Sequence, residues 1–453
     1  MAKTKVEFVC KECGASHPQW VGQCLECKAW NTLEEVVLSQ TTASKPESLK
    51  DLPPSKVQNL SAVKSENKAR LSTGLSELDR TLGGGLVDGS VVLIGGDPGI
   101  GKSTLILQAM AFINRENATL YVSGEESAEQ VSDRAIRLGI TEDVLLLSET
   151  HLEKVIKLAK DIQPKVIVID SIQTMVTDGS TSAPGSVTQV RDCAAQLTQY
   201  AKQTNTILLM IGHVTKGGAL AGPRILEHMV DAVLYFEGDA GGRYRIIRAV
   251  KNRFGAVNEI SVFAMGEAGL QQVENPSAIF LSNQVKPSPG SMVMVAREAT
   301  RPLMVEVQAL VDQAGGNPKR VSVGLEQNRL ALQLAVLHKH GGVATHDQDV
   351  FVNVVGGIKV SETASDLAVM LAIMSSLRDK VIPSDWIAFG EVGLTGEVRP
   401  VYNAIERLSE AQKHGFKVAI IPKANSPKKS FKGMKIVAVE YLYQALQYMG
   451  ENT

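Results

Sequence analysis

Continuous apolar runs alternate with helical stretches from about residue 67 of the chain. The apolar runs read SVVLIG (90–95), ATLYVS (118–123), DVLLLS (143–148), KVIVID (165–170) and TILLMIG (206–212). Helix candidates fill the intervals, at 102–115, 127–138, 150–162 and 186–203. Unbroken apolar strands separated by helices predict a parallel sheet that is covered on both faces. The runs DAVLYF (231–236) and RYRIIRAV (243–250) follow without helices between them, which predicts antiparallel strands closing the sheet.

The same pattern divides an α/β chain into three units. Residues 1–31 form a compact cysteine-bearing module, and residues 32–66 read as a linker because 39–66 are rich in Ser, Lys and Pro with little periodicity. The main sheet occupies 67–274. A second boundary falls at 275–285, before the prolines at 287 and 289, and residues 286–453 form a further α/β unit.

Composition limits where charged partners can bind. The chain has 453 residues, 44% of them hydrophobic and 21% charged, with a formal net charge of −1. No global positive field draws it to nucleic acid, so any such binding needs a local groove or loop. The start MAKTKVEF lacks the apolar segment of a secretory signal, and no apolar run approaches the ~20 residues that span a bilayer. We therefore expect a cytoplasmic protein without a membrane partner.

Four of the five cysteines lie in the first 27 residues, as Cys10-x2-Cys13 and Cys24-x2-Cys27. Two such knuckles can place four thiolates tetrahedrally around Zn²⁺, which supplies folding energy that a unit of about 30 residues lacks. His17 is a possible substitute ligand, but four cysteines already close the site, so the zinc is structural. Two redox pairs are the alternative, but they require a thioredoxin-like strand context that is absent here.

The stretch from residue 96 to 104 matches a phosphate-binding loop, G-x-x-x-x-G-K-[ST], between a strand and a helix. We call it the P-loop; its residues are Gly96, Asp97, Pro98, Gly99, Ile100, Gly101, Lys102, Ser103 and Thr104. We expect its backbone amides to enclose ATP phosphates, Lys102 to reach the β and γ phosphates, and the Ser103 hydroxyl to coordinate Mg²⁺. Asp170, at the end of a later strand, is the expected second Mg²⁺ group.

A nucleoside triphosphatase also needs a group that orients the attacking water. The segment YVSGEES puts Glu125 and Glu126 directly after the second strand, where a carboxylate can act as general base. Glu125 is the first candidate, and Glu126 remains open. The alternative is a surface pair that opens the next helix, where acidic residues favour the helix dipole.

These motifs together resemble the RadA (Sms) family of bacterial DNA repair proteins over essentially the whole chain. The resemblance rests on TGLSELDRTLGGGLVDGSVVLIGGDPGIGKST (73–104), GEES, IGHVTKGGALAGPRILEHMVD (211–231), KNRFG (251–255) and the leading cysteine pairs. It implies a RecA-type ATPase core, a hexameric ring, single-stranded and branched DNA as ligands, and the recombinase RecA as partner, docked through the zinc knuckle.

Two further roles follow from that resemblance. In a RecA-type core the late strands lie near a neighbour's P-loop, so Lys251 and Arg253 would reach a γ-phosphate across the subunit interface. A basic hairpin end facing solvent, or DNA directly, is the alternative. His213 resembles a sensor of the nucleotide state, though it is also consistent with an ordinary buried histidine.

The glycine-rich loop VTKGGALAGPR (214–224) carries Lys216 and Arg224, which we expect to grip a DNA backbone inside the ring. A solvated surface loop is the alternative reading of these two cations. The segment TDGSTSAPGS (177–186) is a weaker candidate because it has no cations.

Residues 286–453 resemble the peptidase domain of Lon proteases, most clearly at EVGLTGEVRPVYNAIERLSEAQKHG (391–415). That family uses a Ser–Lys dyad. Here the serine position falls on Ala364, or on Ser365 after a shift of one residue, and the lysine position falls on Ile405. Arg399 and Arg407 cannot act as the base. We expect a retained fold without peptidase chemistry that joins subunits. The basic stretch 422–435 reads equally as a duplex DNA contact or as a solvated edge.

Three functions are compatible with these sequence features. The first is an ATP-dependent DNA motor, a helicase or branch-migration enzyme of homologous recombination. The second is an ATP-switched DNA-binding accessory protein that does not translocate. The third, an ATP-dependent protease, is opposed by Ala364 and Ile405.

Overall fold

The computed structural model describes residues 5–10, 16–26, 28–38, 70–180, 182–213, 225–237, 243–273, 276–281, 287–298 and 300–452. It divides into two compact units, residues 1–273 and 274–453. The predicted α/β class is confirmed, with a parallel central sheet in the first unit. Most of the predicted linker 32–66, and part of the predicted linker 275–285, lie outside the described residues.

The cysteine-bearing module contains a small antiparallel sheet in the order β2-β1-β3. Its strands are β1 Lys5–Cys10, β2 Ser16–His17 and β3 Leu33–Leu38. Its hydrophobic cluster consists of Cys10, Cys24 and Leu33, with Phe8 and Val21 packed against them. Among the described residues of the module, two of the three buried cluster members are therefore cysteines, and a core of that size contributes little stability.

The main sheet has nine strands in the order β12-β11-β10-β9-β4-β8-β7-β5-β6. Its strands are β4 Val91–Gly96, β5 Thr119–Ser123, β6 Leu145–Ser148, β7 Val166–Asp170, β8 Ile207–His213, β9 Ala232–Glu237, β10 Tyr244–Asn252, β11 Ile260–Gly266 and β12 Gly269–Gln272. Its helices are α1 Ser76–Thr81, α2 Lys102–Asn114, α3 Ala128–Arg137, α4 Leu152–Ile162, α5 Val187–Thr204 and α6 Ile225–Met229. The predicted runs match these strands and helices to within about two residues at either end.

Alternate residues of the central strands enter two different cores. In β4, Val92 and Ile94 belong to the cluster that includes α2, whereas Val91 and Leu93 belong to the cluster that includes α5. All six residues of β4 are consequently buried. Strands β4 to β9 pair in parallel, and β10, β11 and β12 pair antiparallel. This is the arrangement that the unbroken apolar runs predict.

The second unit is built on a seven-stranded mixed sheet in the order β15-β16-β14-β13-β17-β20-β21. Its strands are β13 Ser291–Glu298, β14 Arg301–Gln313, β15 Arg320–Val323, β16 Gln348–Val354, β17 Trp386–Ala388, β20 Val418–Pro422 and β21 Lys435–Val439, with β18 Glu391–Val392 and β19 Val398–Arg399 forming a separate pair. Its helices are α7 Gln327–Gly341, α8 Asp366–Leu377, α9 Ala404–Lys413 and α10 Leu442–Asn452. Helix α8 is buried along ten consecutive residues, Asp366 to Ser375, and so forms the centre of this unit.

Arg407 on α9 is a buried cation with a structural partner. Only 3% of its side chain is exposed, and its guanidinium makes a bidentate pair with Glu362, at 2.8 and 2.6 Å. It also donates to the backbone carbonyl of Val295. A planar guanidinium suits this geometry, and the bond to Val295 ties α9 to β13 of the sheet.

We predict that Arg407→Met lowers the free energy of unfolding of the second unit by about 3 kcal/mol, because Glu362 keeps its charge without a partner. Urea unfolding followed by tryptophan fluorescence measures this, since Trp386 is buried and is the single tryptophan in the sequence after residue 273. The matched control is Arg399→Met, which removes a cation with 55% of its side chain exposed. We expect that variant to unfold like wild type, and equal losses in both variants would contradict the account.

Candidate active site

The P-loop connects β4 to α2 and is shaped by its glycines. Gly99 and Gly101 adopt left-handed backbone angles, φ +75° and +113°, which side chains disfavour. The Lys102 side chain is buried and its Nζ donates to the carbonyls of Gly96 and Asp97, at 2.7 and 2.8 Å. Burial lowers the pKa of Lys102, while Asp170, Glu125 and Asp97 oppose that shift. The charges of three carboxylates therefore act on the Lys102 ammonium.

Asp170 ends β7 on the same edge as the P-loop. It is 7% exposed, and its Oδ2 accepts a hydrogen bond from the Tyr121 hydroxyl. Burial raises the pKa of Asp170, and the nearby hydroxyls of Ser103 and Tyr121 act against that rise. The Ser103 hydroxyl and the Asp170 carboxylate thus lie together, and such oxygen donors fit a bound Mg²⁺.

Glu125 and His213 meet beside this pair although they are distant in sequence. His213 is the last residue of β8 and pairs in register with Gly96, the first residue of the P-loop. Its Nε2 lies 2.9 Å from the carboxylate of Glu125, which also accepts a hydrogen bond from Ser171. The hydrogen bond with His213 lowers the pKa of Glu125 and so favours its ionised form.

Glu126 has a different environment from Glu125. It forms an ion pair with Arg134, whose side chain is 16% exposed. Helix α3 begins directly afterwards, with Ser127 as its N-cap in a capping box with Gln130. Glu125 and Glu126 therefore precede the helix cap and are not first-turn residues of the helix.

The KNRFG segment, residues 251–255, lies at the opposite ends of the strands from the P-loop, where β4 and β9 begin. Lys251 is opposite Val233 of β9, which in turn is opposite Leu93 of β4, three residues before Gly96. Lys251 is therefore displaced from Gly96 by roughly 10 Å along the strand direction and by two strands sideways, at about 5 Å per strand. The Lys251 Nζ donates to the carbonyls of Glu227 and Val230, at 2.6 and 2.8 Å, just before β9 begins. Its ammonium therefore points away from the P-loop of its own chain.

Two contacts hold this segment in place, and neither was predicted from the sequence. Arg253 pairs with the buried Asp231 at 3.2 Å, although 61% of the arginine side chain is exposed. Asp231 also accepts from Lys202 and from the backbone amide of Val91. Gly255 packs against Gly83, where an added Cβ would lie 2.7 Å from the Gly83 Cα. The glycine of KNRFG is thus required because two backbone segments approach closely. The run of three glycines at 83–85 was the feature of the sequence that could have indicated this contact.

The cysteine module offers thiol donors on a tight turn. Cys10 and Cys24 are each 1% exposed. The Cys24 knuckle is closed by backbone hydrogen bonds from Lys28 to Cys24 and from Cys24 to Ala29, both at 2.9 Å. His17 Nε2 lies 3.5 Å from the Cys24 sulfur. Cys13 and Cys27 lie outside the described residues, and the two described thiols suit a zinc ion.

Comparison with known proteins identifies the domains and the family. Residues 8–35 match a rubredoxin metal binding domain, residues 57–219 an AAA domain and residues 311–425 subunit ChlI of Mg-chelatase. DNA repair protein RadA of Pseudomonas aeruginosa is 57% identical over 453 residues, 100% of both chains. The RadA proteins of Escherichia coli and Bacillus subtilis are 56% and 46% identical and cover 98% and 99% of this chain, and 99% of their own length.

The chain belongs to the RadA family of DNA repair proteins. The predicted resemblance is confirmed, and so is the combination of a zinc-ribbon module, an ATPase core and a Lon-like C-terminal domain. The AAA domain supports ATP binding and hydrolysis, with Mg²⁺ as the usual companion ion, and the rubredoxin-type module supports zinc. Lys216 and Arg224, the predicted DNA contacts, lie outside the described residues.

In this RadA family member the Lon-like peptidase positions have no dyad geometry. Ala364 is buried, and Ile405 is 52% exposed on α9. The neighbouring Ser365 is also buried, and its hydroxyl donates to the carbonyl of Glu362 at 2.8 Å. Arg407 is paired with Glu362, as described above, and Arg399 pairs with Glu391 and Glu397.

Within the described part of the chain, every helix is too short or too polar to cross a membrane.

We predict that Cys24→Ser removes zinc from the purified protein and opens residues 5–38 to proteolysis, because the module's core is largely its cysteines. Atomic absorption gives the zinc content, and mass spectrometry gives the cleavage sites. Cys193→Ser is the matched control: this buried thiol lies on α5, and burial raises its pKa to about 12. It should retain wild-type zinc. Full zinc in Cys24→Ser, or equal loss in Cys193→Ser, would contradict the assignment.

Proposed function

We propose that this chain is an ATP-dependent DNA motor that acts in homologous recombination and repair as an oligomeric ring, with single-stranded and branched DNA as substrate. The observation that carries the proposal is the position of KNRFG at the sheet edge opposite the P-loop. An isolated subunit has a phosphate-binding loop but no cation from KNRFG near it. A neighbouring copy can supply that cation, which makes hydrolysis depend on assembly.

The proposed ATP site consists of residues at one edge of the sheet. Lys102 leaves the loop carbonyls and binds the β and γ phosphates, and the P-loop amides bind the remaining phosphate oxygens. Ser103 and Asp170 hold Mg²⁺, which neutralises phosphate charge when it is bound. The closeness of the Ser103 and Asp170 side chains supports this assignment.

Glu125 is the proposed general base in preference to Glu126. The Arg134 guanidinium holds Oε1 of Glu126, and Oε2 of Glu126 is buried away from solvent. Glu125 is only partly buried, and His213 and Ser171 bind its Oε1. Those two contacts leave the second oxygen of Glu125 available to take a proton from water.

Lys251 and Arg253 are the proposed cations supplied in trans. A finger of this kind stabilises charge that develops on the transferred phosphoryl group, an effect of about 10³-fold or more in turnover. Asp231 holds Arg253, and the end of α6 holds Lys251, so both side chains are oriented before assembly. The largely exposed Arg253 side chain supports its availability to a partner subunit.

His213 is the proposed sensor between nucleotide and DNA. It binds the proposed base, and the loop 214–224 follows it directly in the chain. Removal of the γ-phosphate would change the charge facing Glu125 and thereby the His213 contact. Lys216 and Arg224 in that loop are the proposed contacts to the DNA backbone in a hexameric ring.

The remaining proposals concern the protein partner and the cellular location. The zinc module is proposed to dock on the RecA recombinase, and the protein to act in the cytoplasm. An ATP-switched DNA-binding accessory without translocation is the second candidate, since the same site would serve a switch. The arrangement of Ala364, Ser365 and Ile405 argues against a protease.

We predict that wild-type protein unwinds a forked duplex with ATP and that Lys102→Ala, Lys251→Ala and Arg253→Ala do not. A fluorescent ATP analogue should still bind Lys251→Ala and Arg253→Ala, because their own P-loops are intact. Turnover in Arg253→Ala should fall by about 10³-fold. Lys202→Ala is the matched control, since it removes another cation from the same Asp231, and its rate should remain within a few-fold of wild type.

Two outcomes would count against the motor. If wild type hydrolyses ATP on DNA but displaces no strand, even with the recombinase present, the chain is the switched accessory. If a strictly monomeric form is a fully active ATPase, the trans role of KNRFG is wrong.

A further inference from the structure

A tyrosine outside every recognised motif contacts the carboxylate of Asp170. Tyr121 is in the middle of β5, which pairs with β7 so that Ser123 lies opposite Asp170 and Tyr121 lies opposite Val168. The Tyr121 side chain is therefore on the same face as Asp170, two residues behind it. Its hydroxyl reaches forward and donates to Oδ2 of Asp170.

The Tyr121 ring has little freedom to move. It is 1% exposed and belongs to the hydrophobic cluster that packs α2 against the sheet. A ring held in a close-packed core fixes the position of its hydroxyl. The terminal torsion of an aspartate is broad, so a fixed donor on one oxygen selects one orientation of the carboxylate.

A partly buried ion pair lies close to this hydrogen bond. Arg134 pairs with Glu126, and it is close enough to act electrostatically on both Tyr121 and Asp170. Nη1 of Arg134 and Oε2 of Glu126 are buried, and neither has a hydrogen-bond partner among the described residues. An unsatisfied donor and an unsatisfied acceptor thus lie within electrostatic range of Asp170. Buried polar atoms of this kind are normally completed by water or by a ligand's hydration shell.

We propose that Tyr121 is a positioning residue that orients Asp170 for the metal ion and thereby sets the Mg²⁺ affinity of the nucleotide site, with the Glu126–Arg134 pair completing the polar surroundings. The inference rests on the proposed function, because it takes Asp170 as a metal-binding group. Partners that orient a metal-binding carboxylate typically change metal affinity by about 10- to 100-fold when they are removed.

The test is Tyr121→Phe, which retains the ring in the core and deletes the donor. Binding of Mn²⁺ to the full-length protein with ADP, measured by electron paramagnetic resonance, should weaken about tenfold. Binding of the fluorescent nucleotide without divalent metal should be unchanged. The Mg²⁺ concentration for half-maximal ATP hydrolysis should rise, whereas kcat at saturating Mg²⁺ should remain within a few-fold of wild type.

Two control variants keep the outcomes distinct. Tyr200→Phe deletes a hydroxyl from another largely buried tyrosine, on α5 in the other core cluster, and should leave Mn²⁺ binding unchanged. Asp170→Asn should lose most of its Mn²⁺ affinity. If Asp170→Asn loses affinity and Tyr121→Phe stays within twofold of wild type, the role of Tyr121 is refuted and the metal site stands. If Asp170→Asn retains wild-type affinity, the metal assignment in the proposed function fails instead.

Discussion

Parallel hydrogen bonding between β4, β8, β7 and β5 is the constraint on which the site depends. Parallel strands end at the same edge of a sheet, so the register of Gly96 with His213 and of Ser123 with Asp170 gathers the P-loop and the acids together. The antiparallel strand β10 ends at the opposite edge and carries KNRFG there. One sheet therefore separates the two halves of the proposed catalytic apparatus, and in the proposal a second copy brings them together.

Hydrogen bonds connect the strand ends into two networks. At the P-loop edge, Glu125 joins Ser171 to His213, the residue before loop 214–224. At the other edge, Asp231 joins Arg253 to Lys202 and to the first residue of β4. Helix α6 follows loop 214–224 and receives the Lys251 ammonium at its end. In the chain, residues 214–224 thus lie between His213 of the first network and helix α6, which contacts Lys251.

Local sequence signals predicted a large part of this arrangement. The P-loop, the apolar strands and the cysteine pairs each depend on residues close together in the chain, so their patterns identified the fold class and the ATPase core. Tyr121, Arg134 and Asp231 were missed because their roles come from partners in other strands and helices. Tyr121 in particular has the pattern of an ordinary core residue. The roles given to the individual site residues, including Glu125, Lys251, Lys216 and Arg224, all stay predictions.

The most direct test of the central claim mixes two inactive variants, Lys102→Ala and Lys251→Ala. One has an intact KNRFG and the other an intact P-loop, so random co-assembly creates interfaces in which both are intact. If the site is completed in trans, the equimolar mixture hydrolyses ATP at about a quarter of the wild-type rate, although each variant alone is inactive. A mixture that co-assembles, as shown by pull-down of a tagged variant, and yet stays inactive would contradict a site completed in trans.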